Sequence, residues 1–137
     1  MKSFLNILKK SNGYTLMEII IAIIIIGFLA AMALPRYGST VDRTQSAEGI
    51  QILEALVSAQ NLYYFENNSF ASDINDLDIT IPTPTNFSAP SVSSSDPVAS
   101  ITHISPNTYT IEMDADGTVD CQDGGAPSGF CTKLGLP

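Results

Sequence analysis

Tryptophan is absent from this chain, histidine occurs once, at His103, and cysteine occurs twice. A serine–histidine–acid triad would have to use His103, yet the sequence has no Gly-x-Ser-x-Gly turn to carry the serine. It also lacks the glycine motifs that bind phosphates or dinucleotides. With 137 residues the chain is too short for a barrel enzyme or a kinase. We therefore expect no enzymatic activity and no cofactor.

Basic residues are also few, and they are unevenly placed. The chain has 6 Lys and Arg against 14 Asp and Glu, a formal net charge of −8. Residues 1–13 carry three lysines and no acidic residue, whereas residues 45–137 hold 12 acidic residues against Lys133 alone. An acidic body repels phosphate backbones, so we expect no nucleic acid to bind it.

Charge is missing altogether from one long apolar segment near the N-terminus. The sixteen residues from Ile19 to Leu34 contain no charged side chain. With residues 14–17 the apolar stretch reaches about 21 residues, which at about 1.5 Å per residue just spans a bilayer core of about 30 Å. The basic segment in front predicts a single span with a cytoplasmic N-terminus.

Glu18 distinguishes between three interpretations of this N-terminus. A secretory signal peptide would end at small residues such as Ala31 to Ala33, and a plain signal anchor would not be cleaved. Neither has a use for a carboxylate inside an apolar span, where it costs several kcal/mol without a partner. An acid at this depth predicts a function and a partner for its charge.

Residues 13–18, Gly-Tyr-Thr-Leu-Met-Glu, and the isoleucine-rich run after them resemble the class III signal of type IV pilins and type II secretion pseudopilins. In that family a membrane peptidase cuts after the glycine and the new N-terminus is methylated. The resemblance implies cleavage between Gly13 and Tyr14 and methylation of Tyr14, although most members begin with Phe or Met. Glu18 is then the fifth residue of the mature chain, and Gly27 and Pro35 are the fourteenth and twenty-second.

The family also implies roles for these residues. Glu18 would pair with the N-terminal amine of the neighbouring subunit and set the axial register of a filament. Gly27 and Pro35 bracket a segment that can kink or lose its helix when subunits pack, since proline removes a backbone donor and glycine weakens a helix. An ordinary membrane-helix kink would place the same two residues there.

A second helical pattern follows the apolar run. From residue 45 to 66 apolar residues recur at spacings of three and four, which predicts an amphipathic helix. We expect one helix over residues 14–66, divided into a transmembrane or filament-core half (14–35) and an amphipathic half (36–66). Residues 1–13 are expected to be a leader peptide, and 67–137 a small β-rich domain.

The C-terminal domain is predicted to contain a short antiparallel meander. Thr108–Met113 alternates with period two, Asp116-Gly117 supplies a turn, and Thr118–Cys121 returns as the second strand. Ser100–Ile104 is expected to be a preceding strand, and Ser72–Leu77 one helical turn capped by Ser72 or Asp73. The serine-rich stretch 91–95 is expected to be a surface loop. The predicted fold class is α+β: a long N-terminal helix packed on a small antiparallel β-meander, pilin-like.

Two features near the C-terminus suggest local chemistry. Asp114, Asp116 and Asp120 surround a glycine like part of a calcium loop, but the closing glutamate is missing, so we favour a hairpin turn and treat calcium as a weak candidate. Cys121 and Cys131 are too far apart for a redox pair and too few for zinc. Many type IV pilins close a C-terminal loop with a disulfide, which the resemblance implies for loop 121–131.

The sequence thus predicts a structural subunit of a type IV pilus rather than an enzyme. Its expected partners are further copies of itself in a helical filament, the prepilin peptidase, the inner-membrane assembly platform, and the lipid bilayer before assembly. We expect the precursor in the inner membrane and the assembled pilus outside the cell. A pseudopilin of type II secretion is the alternative. A secreted acidic binding domain behind a signal cleaved after Ala33 is the alternative from another class.

Overall fold

The computed structural model describes residues 13–137. The predicted leader, apart from Gly13, therefore lies outside the described residues. The elements in chain order are α1, a short 3₁₀ turn, four strands and α2. Their bounds are Leu16–Asn67 for α1, Ile74–Asp76 for the 3₁₀ turn, Ser91–Val92 (β1), Ala99–Thr102 (β2), Tyr109–Met113 (β3), Val119–Asp123 (β4) and Phe130–Leu134 (α2). This is the predicted α+β architecture, a long apolar helix followed by an antiparallel sheet.

The chain divides into two units between Tyr37 and Gly38. The N-terminal unit contains the apolar half of α1, in which every residue from 13 to 34 is exposed. Gly27 and Pro35 both lie within the bounds of α1. Because these apolar side chains are exposed, they require an apolar environment to cover them.

The C-terminal unit, residues 38–137, contains the hydrophobic core. The predicted amphipathic half of α1 supplies Ile52, Leu53, Leu56 and Val57. All four are buried in the same core cluster as the apolar residues of the sheet. Gly49 allows α1 to approach Phe87 closely, because a Cβ at this position would lie 2.8 Å from the Phe87 ring. The helical periodicity of this segment correctly placed Leu53, Leu56 and Val57 in the core. It was wrong at the C-terminal end of α1, where the apolar Leu62 and Phe65 are exposed and the polar Gln60 is buried.

The sheet has four antiparallel strands in the order β1-β2-β3-β4. β3 and β4 form the predicted hairpin, with Ile111 opposite Cys121 and a left-handed Gly117 (φ +88°) in the turn. β2 is the predicted preceding strand, in register through Ile101 opposite Ile111.

Residues 91–95 were expected to form a surface loop, and this prediction was wrong at residues 91 and 92. These two residues form edge strand β1, where Ser91 pairs with Ser100 and their hydroxyl oxygens lie 2.8 Å apart. The Ser93 N–H then donates to the Val98 carbonyl at 3.0 Å. Serine has no strong β preference, so the pairing arises from the neighbouring strand rather than from local sequence.

Three buried polar side chains lie in the C-terminal unit, and Gln60 has the most partners. Its amide nitrogen donates to the carbonyls of Ala71 and Val98, at 2.9 and 3.3 Å, and its oxygen accepts from the Ala71 N–H at 2.8 Å. Gln60 thereby ties α1 to the loop after it and to the sheet. The predicted turn at 72–77 is present as the 3₁₀ turn, with Asp73 as its cap.

Candidate functional site

The segment around Gly13, Tyr14 and Glu18 is exposed and begins α1. Gly13, Tyr14 and Thr15 are not helical, and Tyr14 is 77% exposed. The Glu18 N–H donates to the Thr15 hydroxyl at 3.2 Å and to the Thr15 carbonyl at 3.1 Å. Thr15 is therefore the N-cap of α1, and the Gly13–Tyr14 peptide bond lies before the helix in an exposed segment.

The capping role of Thr15 was not among the predictions from the sequence. The signal was present, because Thr15 and Glu18 have the spacing of a capping box, Ser or Thr followed three residues later by Glu. Glu18 occupies the first turn of α1, where the partial positive charge of the helix N-terminus stabilises a carboxylate. Its side chain is exposed, so that its charge is accessible to a group on another molecule.

The apolar half of α1 continues directly from this capped start. Ile24, Ile26 and Phe28 are each more than 60% exposed. The large apolar side chains from Leu16 to Leu34, which point to all sides of the helix, range from 39% to 79% exposed. Among residues 13–137, α1 is the one helix whose length and composition suffice to cross a membrane. An apolar surface that surrounds the whole helix is typical of a segment that packs in lipid or against other helices.

Of the three aspartates of the weak calcium candidate, Asp114 and Asp116 belong to the β3–β4 turn and Asp120 lies in β4. The Asp116 carboxylate accepts from the Thr118 N–H at 2.8 Å, and the Asp120 carboxylate accepts from the Cys121 N–H at 2.8 Å. Hydrogen bonds from the Thr118 hydroxyl and N–H lower the pKa of Asp116. Partial burial, with the charges of Asp96, Asp116 and Asp120, raises the pKa of Asp114. In the described range 13–137, no group of three potential ligands is placed to hold a metal ion.

Cys121 and Cys131 form a disulfide with Cα atoms 5.7 Å apart, joining β4 to α2. Asp123 organises the loop they close, because its two carboxylate oxygens accept from the N–H groups of Gly129 and Cys131 at 2.6 and 2.8 Å. At the other end of α2, the Arg43 guanidinium donates to the Lys133 carbonyl at 3.2 Å. The loop is thus attached to both the sheet and α1.

Two family models match the chain. Residues 8–34 match the prokaryotic N-terminal methylation motif, and residues 46–112 match the model for type IV pilin-like proteins G and H. The chain belongs to the type IV pilin and pseudopilin family. The first match contains the Gly13–Glu18 segment, and the second contains most of the amphipathic half of α1 and the sheet as far as Glu112 in β3.

Individual relatives come from both branches of this family. The chain is 41% identical over 69 residues to the type IV major pilin protein PilE of Neisseria gonorrhoeae, a match covering 50% of this chain and 40% of PilE. It is 26% identical over 77 residues to the type II secretion system core protein G of Aeromonas hydrophila, covering 56% of this chain and 54% of that protein. The chain spans about half the length, or less, of the curated relatives it matches.

Proposed function

We propose that this chain is a structural subunit of a type IV pilus, cleaved between Gly13 and Tyr14 and polymerised through α1. The observation that carries the proposal is the apolar half of α1, exposed on all sides and starting directly after a capped, accessible Gly13–Tyr14 segment. Family membership supports the proposal, since residues 8–34 match a methylation motif.

Cleavage would create the charge that Glu18 needs. The new α-amino group at Tyr14 is positive, and in a bundle of parallel helices the amine of one subunit can reach the Glu18 carboxylate of another. Removing one partner of a buried ion pair typically costs about 3–5 kcal/mol, because the other charge is left unpaired. Glu18 would thus enforce one axial register, while apolar helix packing supplies most of the cohesion.

Before assembly, the apolar half of α1 (14–35) would anchor the precursor in the inner membrane, with the acidic C-terminal unit exported. After assembly it would form the filament core, with residues 36–66 and the domain at 67–137 outside it. Prepilin peptidase and an inner-membrane assembly platform are the partners this route requires. Gly27 and Pro35 would allow α1 to bend or lose its helix locally during packing.

A pseudopilin of type II secretion is the second candidate. It is favoured by the similarity to the secretion protein G, which this chain matches over a larger share of the relative's length than it does PilE. The Cys121–Cys131 loop favours the pilin instead, because such C-terminal loops are typical of pilins. The two candidates differ in the filament that they form. A pilin forms a fibre outside the cell, whereas a pseudopilin forms a short periplasmic filament that acts as a piston.

The N-terminal sequence and intact mass of the chain, coexpressed with a prepilin peptidase, test the proposal. We expect a start at Tyr14 and one added methyl group. A start just after Ala33 would remove Glu18 and most of the apolar helix, and would replace the filament subunit by a secreted acidic domain. Electron microscopy of sheared cell-surface material then separates a pilus from a pseudopilus.

Glu18→Ala tests the register role. We expect membrane insertion to be preserved, because the substitution removes a charge from an apolar span, and filament yield to fall by at least about tenfold. Glu54→Ala, which removes a carboxylate from an exposed position of the same helix, is the matched control and should assemble normally. Normal filaments from Glu18→Ala would show that Glu18 does not set the register.

A further inference from the structure

Asp123 links the two segments that the disulfide joins. Cys121 and Asp123 lie two residues apart in β4, so their side chains emerge on the same face of the strand. The Asp123 carboxylate accepts from the Gly129 N–H at 2.6 Å and from the Cys131 N–H at 2.8 Å. Both hydrogen bonds cross from β4 to the start of α2, as the Cys121–Cys131 bond does. The carboxylate and the sulfur atom therefore hold the same piece of backbone in two independent ways.

The rest of the loop is also attached by contacts other than the disulfide. The Ala126 N–H donates to the Thr108 carbonyl at 3.0 Å, and a Cβ at Gly124 would lie 2.9 Å from that same oxygen. Phe130 and Leu134 of α2 are buried in the core. These contacts involve no sulfur atom, so they can form while both cysteines are still thiols.

The two cysteines reach their positions in different ways. Cys121 lies opposite Ile111 in the β3–β4 ladder, a pairing that does not require the disulfide. Cys131 reaches it only through the chain reversal at residues 124–130, which contain three glycines. A segment rich in glycine loses much conformational entropy when it is ordered. The two charge-assisted hydrogen bonds of Asp123 offset that loss, because they fix the end of the loop that carries Cys131.

We propose that Asp123 is a positioning residue for disulfide formation, which holds Cys131 beside Cys121 in the dithiol chain before the sulfur–sulfur bond exists. The Cα atoms of the two cysteines are 5.7 Å apart, within the range that a disulfide spans. With the loop already ordered, ring closure needs only a local movement of the two thiols, because the entropy of loop closure has been lost beforehand. Polymerisation plays no part in this role, which can therefore succeed or fail independently of the pilus assignment.

Disulfide formation proceeds in two thiol–disulfide exchange steps, and Asp123 acts in the second. The oxidant is the reactive disulfide of another molecule. The thiolate of Cys121, the less buried of the two cysteines, attacks one sulfur of the oxidant, forms a mixed disulfide and releases a first thiolate. The Cys131 thiolate then attacks the Cys121 sulfur and releases the second. Two electrons pass to the oxidant, and its two released thiolates take up the two protons that the cysteine thiols have lost.

Competition between two oxidation products tests this role in the reduced full chain, in detergent. The oxidant is hydroxyethyl disulfide, which is uncharged, so that a change of protein charge does not alter its encounter with the thiols. Once it has reacted with Cys121, Cys131 either closes the ring or is modified by a second oxidant molecule. Mass spectrometry after an acid quench counts both products. The oxidant concentration that gives equal amounts of them measures how fast the ring closes.

The variant Asp123→Asn offers one acceptor oxygen where the carboxylate offers two. We expect it to give equal amounts of the products at an oxidant concentration about tenfold lower, the change typical of a hydrogen bond to a charged group. In concentrated guanidinium chloride it should match the wild type. Asp120→Asn, whose carboxylate bonds within β4, is the control and should match the wild type throughout. An unchanged Asp123→Asn, an equal fall in Asp120→Asn, or a difference that persists in guanidinium would overturn the proposal.

Amide hydrogen exchange in the reduced wild-type chain tests the same contacts without a substitution. We expect the N–H groups of Gly129 and Cys131 to exchange at least about tenfold more slowly than that of exposed Ser128, because the Asp123 carboxylate holds them before oxidation. Equal exchange rates would show that these hydrogen bonds form only after the disulfide. That result would overturn the proposal even if Asp123→Asn does not fold.

Discussion

At the scale of single residues, Thr15 determines where α1 begins. Its hydroxyl accepts the Glu18 N–H, one of the helix donors that has no partner within the helix. The same hydrogen bond leaves Gly13 and Tyr14 outside the helix. One short side chain thus separates the non-helical Gly13–Tyr14 segment from the exposed apolar helix that follows it.

Tyr109 provides a residue-scale prediction about stability. Its hydroxyl is buried and has no hydrogen-bond partner among the described residues. Burial, with a smaller contribution from the charge of Asp42, raises the pKa of Tyr109 from 10.0 to about 12. Because the folded state disfavours the ionised phenol, the wild-type chain should lose stability as the pH rises from 10.0 towards about 12.

The variant Tyr109→Phe should remove both effects. We expect its free energy of unfolding to rise by about 1 kcal/mol at neutral pH, since no buried hydroxyl is left unpaired. We also expect a flatter stability profile in alkali. Thermal unfolding of the full chain in detergent, followed by circular dichroism from pH 7 upwards, measures both, with the exposed Tyr64→Phe as control. A less stable Tyr109→Phe would show that the hydroxyl has a partner in solution.

Asp114 and Asp116 lie two residues apart and should respond to pH with opposite signs. The raised pKa of Asp114 means that its ionised form destabilises the fold, so Asp114→Asn should raise stability at neutral pH. The lowered pKa of Asp116 means that its ionised form stabilises the fold, so Asp116→Asn should lower it. The benefit of Asp114→Asn should vanish below pH 3.8, and the cost of Asp116→Asn as the pH falls through the lowered pKa of that group. Melting temperatures of the two variants across the acid range measure this, and shifts of the same sign would contradict it.

At the scale of elements, the sequence predicted the helix and the strands whose residue spacing is a local pattern. The period of three and four residues indicated α1, and the alternation about Asp116-Gly117 indicated the β3–β4 hairpin, because these elements depend on their own side chains and turn. β1 and α2 were not predicted. β1 has two residues and exists through pairing with β2. α2 has five residues and is held by Asp123, Arg43 and the disulfide, which are contacts between distant parts of the chain.

The candidate site was predictable to a similar extent. The residues Gly13, Tyr14 and Glu18 lie in one short segment, so its resemblance to the class III signal was enough to imply their roles. The Arg43–Lys133 contact spans 90 positions of sequence and needed the fold to become visible. The processing, methylation and register roles stay predictions until the mature chain is sequenced.

Loss of the disulfide should loosen α2 but preserve the sheet. Cys121→Ser/Cys131→Ser should lower the free energy of unfolding of the C-terminal unit by about 2.5–3 kcal/mol, the loop-entropy contribution of a cross-link of this length. The two hydrogen bonds accepted by Asp123 should retain part of the α2 geometry. Amide hydrogen exchange measures this: we expect faster exchange in residues 124–137 than in β3. Uniformly faster exchange would mean that the disulfide supports the entire unit. Asp123→Asn in the oxidised chain is the companion variant, which tests the two hydrogen bonds of Asp123 while the disulfide is kept.

At the scale of the whole molecule, the two units place different demands on their surroundings. Within the described residues 13–137, the sixteen buried hydrophobic residues all lie between Ile52 and Leu134, in the C-terminal unit. The apolar half of α1 contributes none of them, so its order in any state depends on lipid or on other copies.

Residues 38–137 expressed alone should therefore fold. We expect a monomer in water with the Cys121–Cys131 disulfide formed and a cooperative unfolding transition, because no core contact is lost. Nuclear magnetic resonance and sedimentation velocity measure fold and mass, and the full chain in detergent is the reference. A fragment that aggregates or lacks dispersed amide signals would show that the first half of α1 takes part in folding.

The disulfide has a practical consequence for observing the living cell. It occupies both cysteines of the sequence, so the native chain offers a maleimide dye no thiol with which to react. A single cysteine introduced at exposed Ser94, remote in sequence from Cys121 and Cys131, would become the one attachment point for the dye. Fluorescence microscopy of such cells would then show whether the subunit extends and retracts as a fibre in real time.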